Sequence, residues 1–267
     1  MLSALLCGRS TNVGNAFYIY RIGMGKVTFG FIVRNRLIKQ GLWDAVLFNA
    51  PTRTERANVL VHAAQDDVSD ALRPYLIERE ENSWAVLRHV WFGLFRAFLQ
   101  DAAATKLVIL SGACVPLAGF DSICDAVLAS EGSILTRHGY LDKQRYGLVA
   151  RKTHPLLRKG YKLAESWVVF DRAAIELFVA NERTIKDWFK ECIYDTEVIP
   201  ATLLNHFKLP YELIRLWWIE WQPMAKHPNL LNLSEKNIAK AVASGALFAR
   251  KVDESTDTSA LETTLGL

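Results

Sequence analysis

Short apolar runs rich in β-branched residues alternate along this chain with longer stretches of helical periodicity. Val27–Val33, Asn58–His62 and Lys106–Ser111 have the composition of strands, and the last run is apolar enough to be buried on both faces. Between the second and third runs, large apolar residues recur at helical spacing and form one broad stripe: Trp84, Leu87, Trp91, Leu94, Phe95 and Phe98. This alternation predicts an α/β fold with a mainly parallel central sheet and helices on both of its faces.

The second half of the chain has a more mixed pattern. Helices are predicted over Phe120–Ala129, over Arg172–Ala180 and within Asn232–Ser244, and strands over Trp167–Phe170 and the tryptophan-rich segment Leu213–Trp221. Asp171 is predicted to cap the helix that begins at Arg172. Asn181 is predicted to cap a further helix that ends at Lys190. No segment repeats, so we predict one domain over residues 24–252. A short extension over residues 1–23 precedes it, and residues 253–267 are polar enough to predict a flexible, frayed tail.

Composition excludes several classes of protein. The net charge of +4 is too mild to indicate a nucleic-acid-binding protein, and no basic run with interleaved aromatic residues is present. The 4 cysteines lie far apart without a C-x-x-C pair, which argues against a zinc site or a disulfide framework and favours a reducing compartment. The 6 histidines show no ligand spacing, so no metal site is predicted.

The apolar segments are too short for membrane insertion. No run approaches the length of about 18 apolar residues that a transmembrane helix needs. The segment Met1–Cys7 is apolar but short, and no basic residue precedes it, so a signal peptide is not predicted. A soluble protein, cytoplasmic by default, is therefore expected.

Three short blocks near the C-terminus carry the residue types that a sugar-transfer reaction needs. They are Asp195–Thr202, Arg215–Trp221 and Leu247–Lys251. A carboxylate at a helix start, an arginine on a strand and a lysine in a later loop supply a base and two cations. Those are the groups required for a metal-free transfer from a nucleoside diphosphate sugar.

Plainer explanations exist for the same residues. Glu197 lies in the predicted first turn of a helix, where the helix dipole favours an acidic side chain without any catalytic role. Arg215 lies in a predicted strand that is buried on one face, and it can pair there with a structural carboxylate such as Glu212 or Glu220. Trp167 can equally be a core residue, and Arg250 is expected to be solvated.

Further blocks upstream complete a pattern that is typical of one enzyme family. Val27–Asn35 is similar to the family's opening strand. Leu107–Leu117, which reads LVILSGACVPL in this chain, is similar to a strand and the turn that follows it. Glu165–Phe170 is similar to the strand after the family's acceptor loop. With the three C-terminal blocks in the same order, the chain resembles the core-2/I-branching glycosyltransferases and their relatives, the peptide O-xylosyltransferases and plant homologues. The resemblance extends from about Lys26 to Lys251.

The resemblance implies a GT-A-like fold, which is a three-layer α/β/α sandwich with the nucleotide site at the carboxyl ends of its strands. It implies an inverting transfer with Glu197 as the base, and Arg215 and Lys251 as the cations that hold the donor diphosphate. These cations would replace the metal bound by a D-x-D motif, which the sequence lacks. It also places residues near the donor (Val33, Arg34, His62, Ser111 and Gly112) and near the acceptor (Glu165 and Trp167).

The sequence therefore predicts an inverting, metal-independent glycosyltransferase without a cofactor. Its expected substrates are a UDP-sugar, with N-acetylglucosamine or xylose as the sugar, and a hydroxyl of a glycan or glycoprotein. One departure from the family is Ala64, because the family often carries an aspartate there in a His-x-Asp sequence; Asp66 and Asp67 follow shortly after. Two alternatives remain open: a catalytically silent carbohydrate- or nucleotide-binding protein, and a metal-dependent transferase that uses Asp195 and Glu197 as ligands.

Overall fold

The computed structural model describes residues 25–81, 83, 86–136, 163–192, 194–221 and 228–267. Its strands are β1 Lys26–Val33, β2 Ala57–Ala63, β3 Ala104–Ser111, β4 Val115–Pro116, β5 Ser133–Leu135, β6 Val168–Asp171, β7 Tyr211–Leu213, β8 Trp217–Ile219 and β9 Phe248–Arg250. Its α-helices are α1 Gln40–Trp43, α2 Arg53–Arg56, α3 Arg88–Phe98, α4 Phe120–Leu128, α5 Arg172–Ala180, α6 Glu182–Trp188, α7 Asp195–His206, α8 Glu235–Ala243 and α9 Ser259–Leu265. The predicted N-terminal extension lies outside the described residues.

The central sheet has six strands in the order β2-β1-β3-β6-β5-β7. β1 pairs in parallel with β2 and β3, and β5 pairs in parallel with β7. β6 is the reversed strand, because it runs antiparallel to both β3 and β5. The predicted α/β fold with a mainly parallel sheet is confirmed.

Helices cover both faces of this sheet. On one face of β1, Phe29 lies 6.4 Å from Phe120 of α4 and Phe31 lies 4.9 Å from Trp43 of α1, measured between ring centroids. On the other face, Leu94 of α3 packs directly over Gly30. The alternation of strand side chains between faces thus produces three layers, as predicted.

A smaller sheet with the order β4-β9-β8 lies beside the main one and has its own apolar cluster. Trp218, Ile238 of α8 and Leu261 of α9 are buried in this cluster. Leu261 is 0% exposed, and the Asp257 carboxylate accepts hydrogen bonds from the Ser259 backbone N–H and hydroxyl at 3.0 and 2.7 Å. The sequence predicted a frayed tail here, whereas the structure has a short helix, α9, whose Leu261 packs into the smaller cluster.

Two other sequence predictions differ in detail from the structure. Asp171 and Asn181 precede α5 and α6 as predicted, but neither side chain caps its helix. Asp171 instead accepts a hydrogen bond from Ser133 at 2.7 Å, and Asn181 donates one to the Leu177 carbonyl at 2.9 Å. The predicted strand over Leu213–Trp221 is two strands, β7 and β8, which belong to different sheets.

Cys114 and Cys124 are buried free thiols, Cys192 is buried, and Cys7 lies outside the described residues. Burial raises the pKa of the Cys124 thiol to about 12, and burial also raises the pKa of the Cys114 thiol. Cys114 is therefore a small, buried and unreactive residue of the core. In the described part of the chain, no helix combines the length and the apolar character needed to cross a bilayer.

Candidate active site

The carboxyl ends of β1 and β3 lie side by side at one edge of the central sheet. Their parallel register pairs Ile32 with Ser111, which brings Val33 and Arg34 next to the turn after β3. Because β6 runs antiparallel to β3, its beginning lies at the edge where β3 ends. The reversed strand therefore delivers Glu165 and Trp167 to the same place.

The smaller sheet closes this edge from the C-terminal part of the chain. β4 follows the turn after β3 and pairs with β9, and the Val252 N–H donates to the Ala113 carbonyl at 3.1 Å. This pairing places Arg250 and Lys251 beside the turn. β8 pairs in parallel with β9, with Ile219 opposite Arg250, so that Trp221 follows at the same end.

These segments enclose a cleft of about 330 Å³. The sequence-predicted residues that line it are Val33, Arg34, Ser111, Glu165, Trp167, Glu197 and Lys251. Further lining residues that the prediction did not include are Leu87, Ser166, Tyr194, Thr196, Trp221 and Arg250. The predicted residues Arg215, His62 and Gly112 are not among its lining.

Glu197 lies in the first turn of α7 and is half-buried. Its backbone is held on both sides, because its N–H donates to the Tyr194 carbonyl at 3.0 Å and its carbonyl accepts from the Ala164 N–H at 2.9 Å. Pro200 lies inside the same helix, where it has no N–H to donate to the carbonyl four residues earlier. The carboxylate that the sequence predicts as a base therefore lies in the cleft on a fixed segment.

Asp195, the other carboxylate of this block, points away from the cleft. It is 0% exposed, and its oxygens accept hydrogen bonds from the backbone N–H groups of Leu87 and Arg88, both at 3.1 Å, and from Arg88 Nη1 at 3.0 Å. Burial raises the pKa of the Asp195 carboxyl, and these donors oppose the shift. Because Asp195 is committed to these contacts, the geometry gives no support to a metal site made of Asp195 and Glu197.

Arg250 is the cleft residue that sequence reasoning missed. It was expected to be solvated, but its Nε is buried and has no hydrogen-bond partner among the described residues. Its guanidinium lies over the Trp167 ring, and burial lowers its pKa, which the negative charge of Glu165 partly offsets. The clue in the sequence was that Arg250 is adjacent to Lys251. A strand end that brings Lys251 to the cleft brings Arg250 with it.

Arg215 is placed differently from the prediction. It lies exposed in the link between β7 and β8, and its guanidinium carbon is 5.3 Å from the ring centroid of Trp218. Lys240 approaches the same ring at 5.4 Å. The expected one-sided burial of Arg215 is wrong, because the chain passes from one sheet to the other at this point and no strand forms.

His62 is a buried residue behind the strand ends. It is 0% exposed, and its Nε2 accepts a hydrogen bond from the Glu80 N–H at 3.0 Å, while Nδ1 has no partner among the described residues. Burial lowers the pKa of His62. These contacts describe a neutral histidine that holds the segment at Glu80 against β2.

The packing around Gly112 explains why this position is a glycine. A Cβ at this position would lie 2.8 Å from the Arg36 carbonyl oxygen, so any side chain would push two backbone segments apart. The backbone contact includes a hydrogen bond from the Ile38 N–H to the Gly112 carbonyl at 2.9 Å. Gly112 thus shapes the turn after β3 without lining the cleft.

The predicted acceptor residues are held by contacts within the cleft wall. Glu165 is 4% exposed and accepts a hydrogen bond from Trp221 Nε1 at 3.0 Å. Trp167 is 7% exposed, and Arg250 covers one face of its ring. Asp66 and Asp67, considered as substitutes for the missing aspartate at Ala64, bond instead to Arg79 and Asn35 at 2.5 and 2.9 Å.

Comparisons with known proteins support a relationship to glycosyltransferases. No family model matches the chain. The rice (Oryza sativa subsp. japonica) protein Glycosyltransferase BC10 is 24% identical over 180 residues, which is 64% of this chain and 44% of the rice protein. The match thus spans less than half of that relative, and it supports the sequence resemblance for glycosyltransferases in general, without singling out the core-2/I-branching family.

Two solved structures are similar to this chain at low identity. An active-site mutant of LgtC has a TM-score of 0.47 and 10% identity, covering 84% of this chain and 86% of that one. A glycosyltransferase involved in the glycosylation of the major capsid of PBCV-1 has a TM-score of 0.42 and 10% identity, covering 84% and 94% of the two chains.

Proposed function

We propose that this protein is a glycosyltransferase that moves a sugar from a nucleoside diphosphate donor to a hydroxyl group with inversion and without a metal. The observation that carries the proposal is that the carboxylate of Glu197 shares a cleft at the carboxyl ends of β1 and β3 with the adjacent cations Arg250 and Lys251. Binding sites of open α/β folds lie at that edge. The similarity to a rice glycosyltransferase points to the same chemistry.

Glu197 is the proposed general base. Its carboxylate takes the proton of the acceptor hydroxyl while the hydroxyl oxygen forms a bond to the anomeric carbon. The bond from that carbon to the diphosphate oxygen breaks at the same time, and the leaving diphosphate takes the electron pair. A single displacement of this kind inverts the anomeric configuration, and a placed base contributes about 10²–10⁴-fold to its rate.

Arg250 and Lys251 are the proposed diphosphate-binding cations. Negative charge grows on the leaving diphosphate, and fixed cations in a partly dry site stabilise it without rearranging. Arg250 fits this role because its Nε is buried without a partner in the described residues. It takes the place that the sequence resemblance gave to Arg215, which is exposed elsewhere.

The donor and acceptor assignments rest on the resemblance to the core-2/I-branching family. We propose a UDP-sugar, with N-acetylglucosamine or xylose as the transferred sugar, and an acceptor hydroxyl on a glycan or glycoprotein. Val33, Arg34 and Ser111 would lie at the donor, and Glu165 and Trp167 at the acceptor. No cofactor beyond the donor takes part in this scheme.

One observation favours a second function, a silent sugar- or nucleotide-binding protein. Ala64 lines the cleft at the position where the family often has an aspartate, so this carboxylate is absent from the cleft. The two functions differ in turnover. A panel of UDP-sugars assayed for UDP release, with and without glycan acceptors and with Glu197→Gln as the inactive control, separates them. Acceptor-dependent release supports the transferase, whereas binding of UDP without any release supports the silent protein.

A further inference from the structure

A buried ion pair lies directly behind the cleft, between the starts of two helices. Arg88 is 8% exposed and Asp195 is 0% exposed, and Arg88 Nη1 is 3.0 Å from Asp195 Oδ2. The same carboxylate accepts the N–H groups of Leu87 and Arg88, which begin α3. The first residue of α7 therefore caps the first turn of α3, where amides have no partner within their own helix.

The Arg88 guanidinium also reaches the chain that leads into α7. Its Nη2 donates to the Lys190 carbonyl at 3.2 Å, so one side chain holds both ends of the segment from Lys190 to Asp195. This segment includes Tyr194, which has φ 57° and ψ 39°, a left-handed conformation that a bulky residue adopts only when its surroundings impose it. Arg88 and Asp195 are the contacts that flank this strained residue.

The clamped segment forms one wall of the cleft. Leu87, Tyr194 and Glu197 all line it, whereas Asp195 lies behind them. Since Glu197 is two residues beyond Asp195 in the first turn of α7, its position depends on how that turn is anchored. A carboxylate that must meet a hydroxyl proton needs such anchoring, because an error of about 1 Å costs on the order of 10²-fold in rate.

We propose that Arg88 and Asp195 form a positioning pair that holds Glu197 in its reactive place for the transfer step. This inference rests on the proposed function, since it concerns the base of that reaction. Neither residue lines the cleft, so neither is expected to contact the donor. Removing the pair should therefore lower kcat while leaving the affinity for UDP and the KM for the donor unchanged.

The variants are chosen to separate positioning from simple stability. Removing one partner of a buried ion pair leaves an uncompensated charge and destabilises the fold, whereas replacing both is often tolerated. The double variant Arg88→Met with Asp195→Asn removes both charges and the clamp together. The matched control is Arg73→Met with Asp70→Asn, which removes an exposed pair of the same two residue types, joined at 2.9 Å.

The measurements are the melting temperature, the dissociation constant for UDP and the kcat and KM for the UDP-sugar that the wild type uses. We expect the buried double variant to fold and bind UDP within about twofold of the wild type, with kcat lowered by about 10- to 100-fold. The control should keep the wild-type kcat. A folded double variant with wild-type kcat would overturn the inference.

A milder variant decides the matter if the double variant does not fold. Arg88→Lys keeps the charge opposite Asp195 but cannot also reach the Lys190 carbonyl, because an ammonium lacks the forked geometry of guanidinium. A lower kcat at unchanged UDP affinity supports the positioning role, and an unchanged kcat contradicts it. Failure of the wild type to turn over any donor would instead contradict the proposed function, so the two failures are distinguishable.

Discussion

The guanidinium carbon of Arg250 lies 4.2 Å from the centroid of the Trp167 ring. A cation held on an aromatic face inside a cleft keeps its charge without forming a close ion pair, so it remains able to bind an anion. The same contact occupies one face of Trp167. A sugar ring can therefore stack on that face only if Arg250 moves, so the predicted acceptor contact of Trp167 depends on the position of Arg250.

Replacing Glu197 with glutamine tests the proposed base. Glutamine keeps the size of the side chain but cannot take a proton, so turnover should fall by about 10²-fold or more. Binding of UDP, measured by calorimetry, should stay close to that of the wild type because the phosphate-binding cations are untouched. Retained turnover in a folded Glu197→Gln variant would remove this residue from the mechanism.

Replacing the cleft cations tests the diphosphate site. Arg250→Ala and Lys251→Ala should each weaken UDP binding by about 10- to 100-fold, the range expected for a lost hydrogen bond to a charged group. UDP binding by the wild type should also weaken as salt is raised, since part of the cleft is open to solvent. Arg215→Ala is the matched control, because Arg215 is exposed outside the cleft, and it should change the affinity little. A larger loss in Arg215→Ala than in the other two would restore the assignment made from sequence.

Removing divalent metal should leave the reaction intact. Arg250 and Lys251 already place two positive charges in the cleft, and Asp195 is bonded to Arg88 and unable to serve as a ligand. A hard divalent cation needs several oxygen ligands. Turnover in excess EDTA should therefore equal turnover with added Mn²⁺, and a loss in EDTA that Mn²⁺ restores would contradict the cation assignment.

Truncating Leu261 tests whether the C-terminal helix is part of the fold. Leu261→Ala removes a fully buried side chain from the smaller apolar cluster and should lower the free energy of unfolding by about 2–5 kcal/mol. Denaturant titration measures this change. The matched control is Leu267→Ala, because Leu267 is 54% exposed and its loss should have little effect. Equal stability of both variants and the wild type would indicate a tail that does not pack.

His62 should make the protein less stable in mild acid. Burial lowers its pKa in the folded state, so the unfolded chain binds the extra proton first as the pH falls below the ordinary histidine pKa of about 6.5. The His62 contribution to stability is therefore complete above that pH and is lost as the pH falls toward the folded pKa. His62→Gln, which keeps an acceptor for the Glu80 N–H, should show a smaller drop in melting temperature between pH 7.5 and 5. An identical drop in both proteins would contradict this.

The central strands were predictable because their signal is local. β1 and β3 are continuous apolar runs, and the helical stripe predicted α3, although the helix begins only at Arg88. The cleft position of Glu197 and Lys251 followed from the resemblance, together with the rule that parallel strands end at one edge. The reversed direction of β6 was not apparent from its composition.

The failures concern residues whose surroundings are set by distant pairing. Arg250 is half-buried beside the cleft on a strand that pairs with both β4 and β8, and no local pattern reveals that pairing. The sequence predicted Arg215 on a half-buried strand because its side of Leu213–Trp221 reads as one continuous strand face. In the structure the chain passes from one sheet to the other within this segment, and Arg215 is exposed. The tail was misjudged from its composition, because the few apolar residues of α9, Ala260, Leu261 and Leu265, all pack against the smaller cluster.

The pairing of β4 with β9 also has a consequence for the order of events during folding. Val115 pairs with Ala249, so the last wall of the cleft comes from a strand more than a hundred residues later in the chain. Contacts between residues so far apart in the chain form late, because closing a long loop costs conformational entropy before the contact contributes stabilising free energy. During synthesis, β1 to β3 and Glu197 are made before Arg250 and Lys251. The proposed diphosphate site is therefore completed only when β9 has paired with β4.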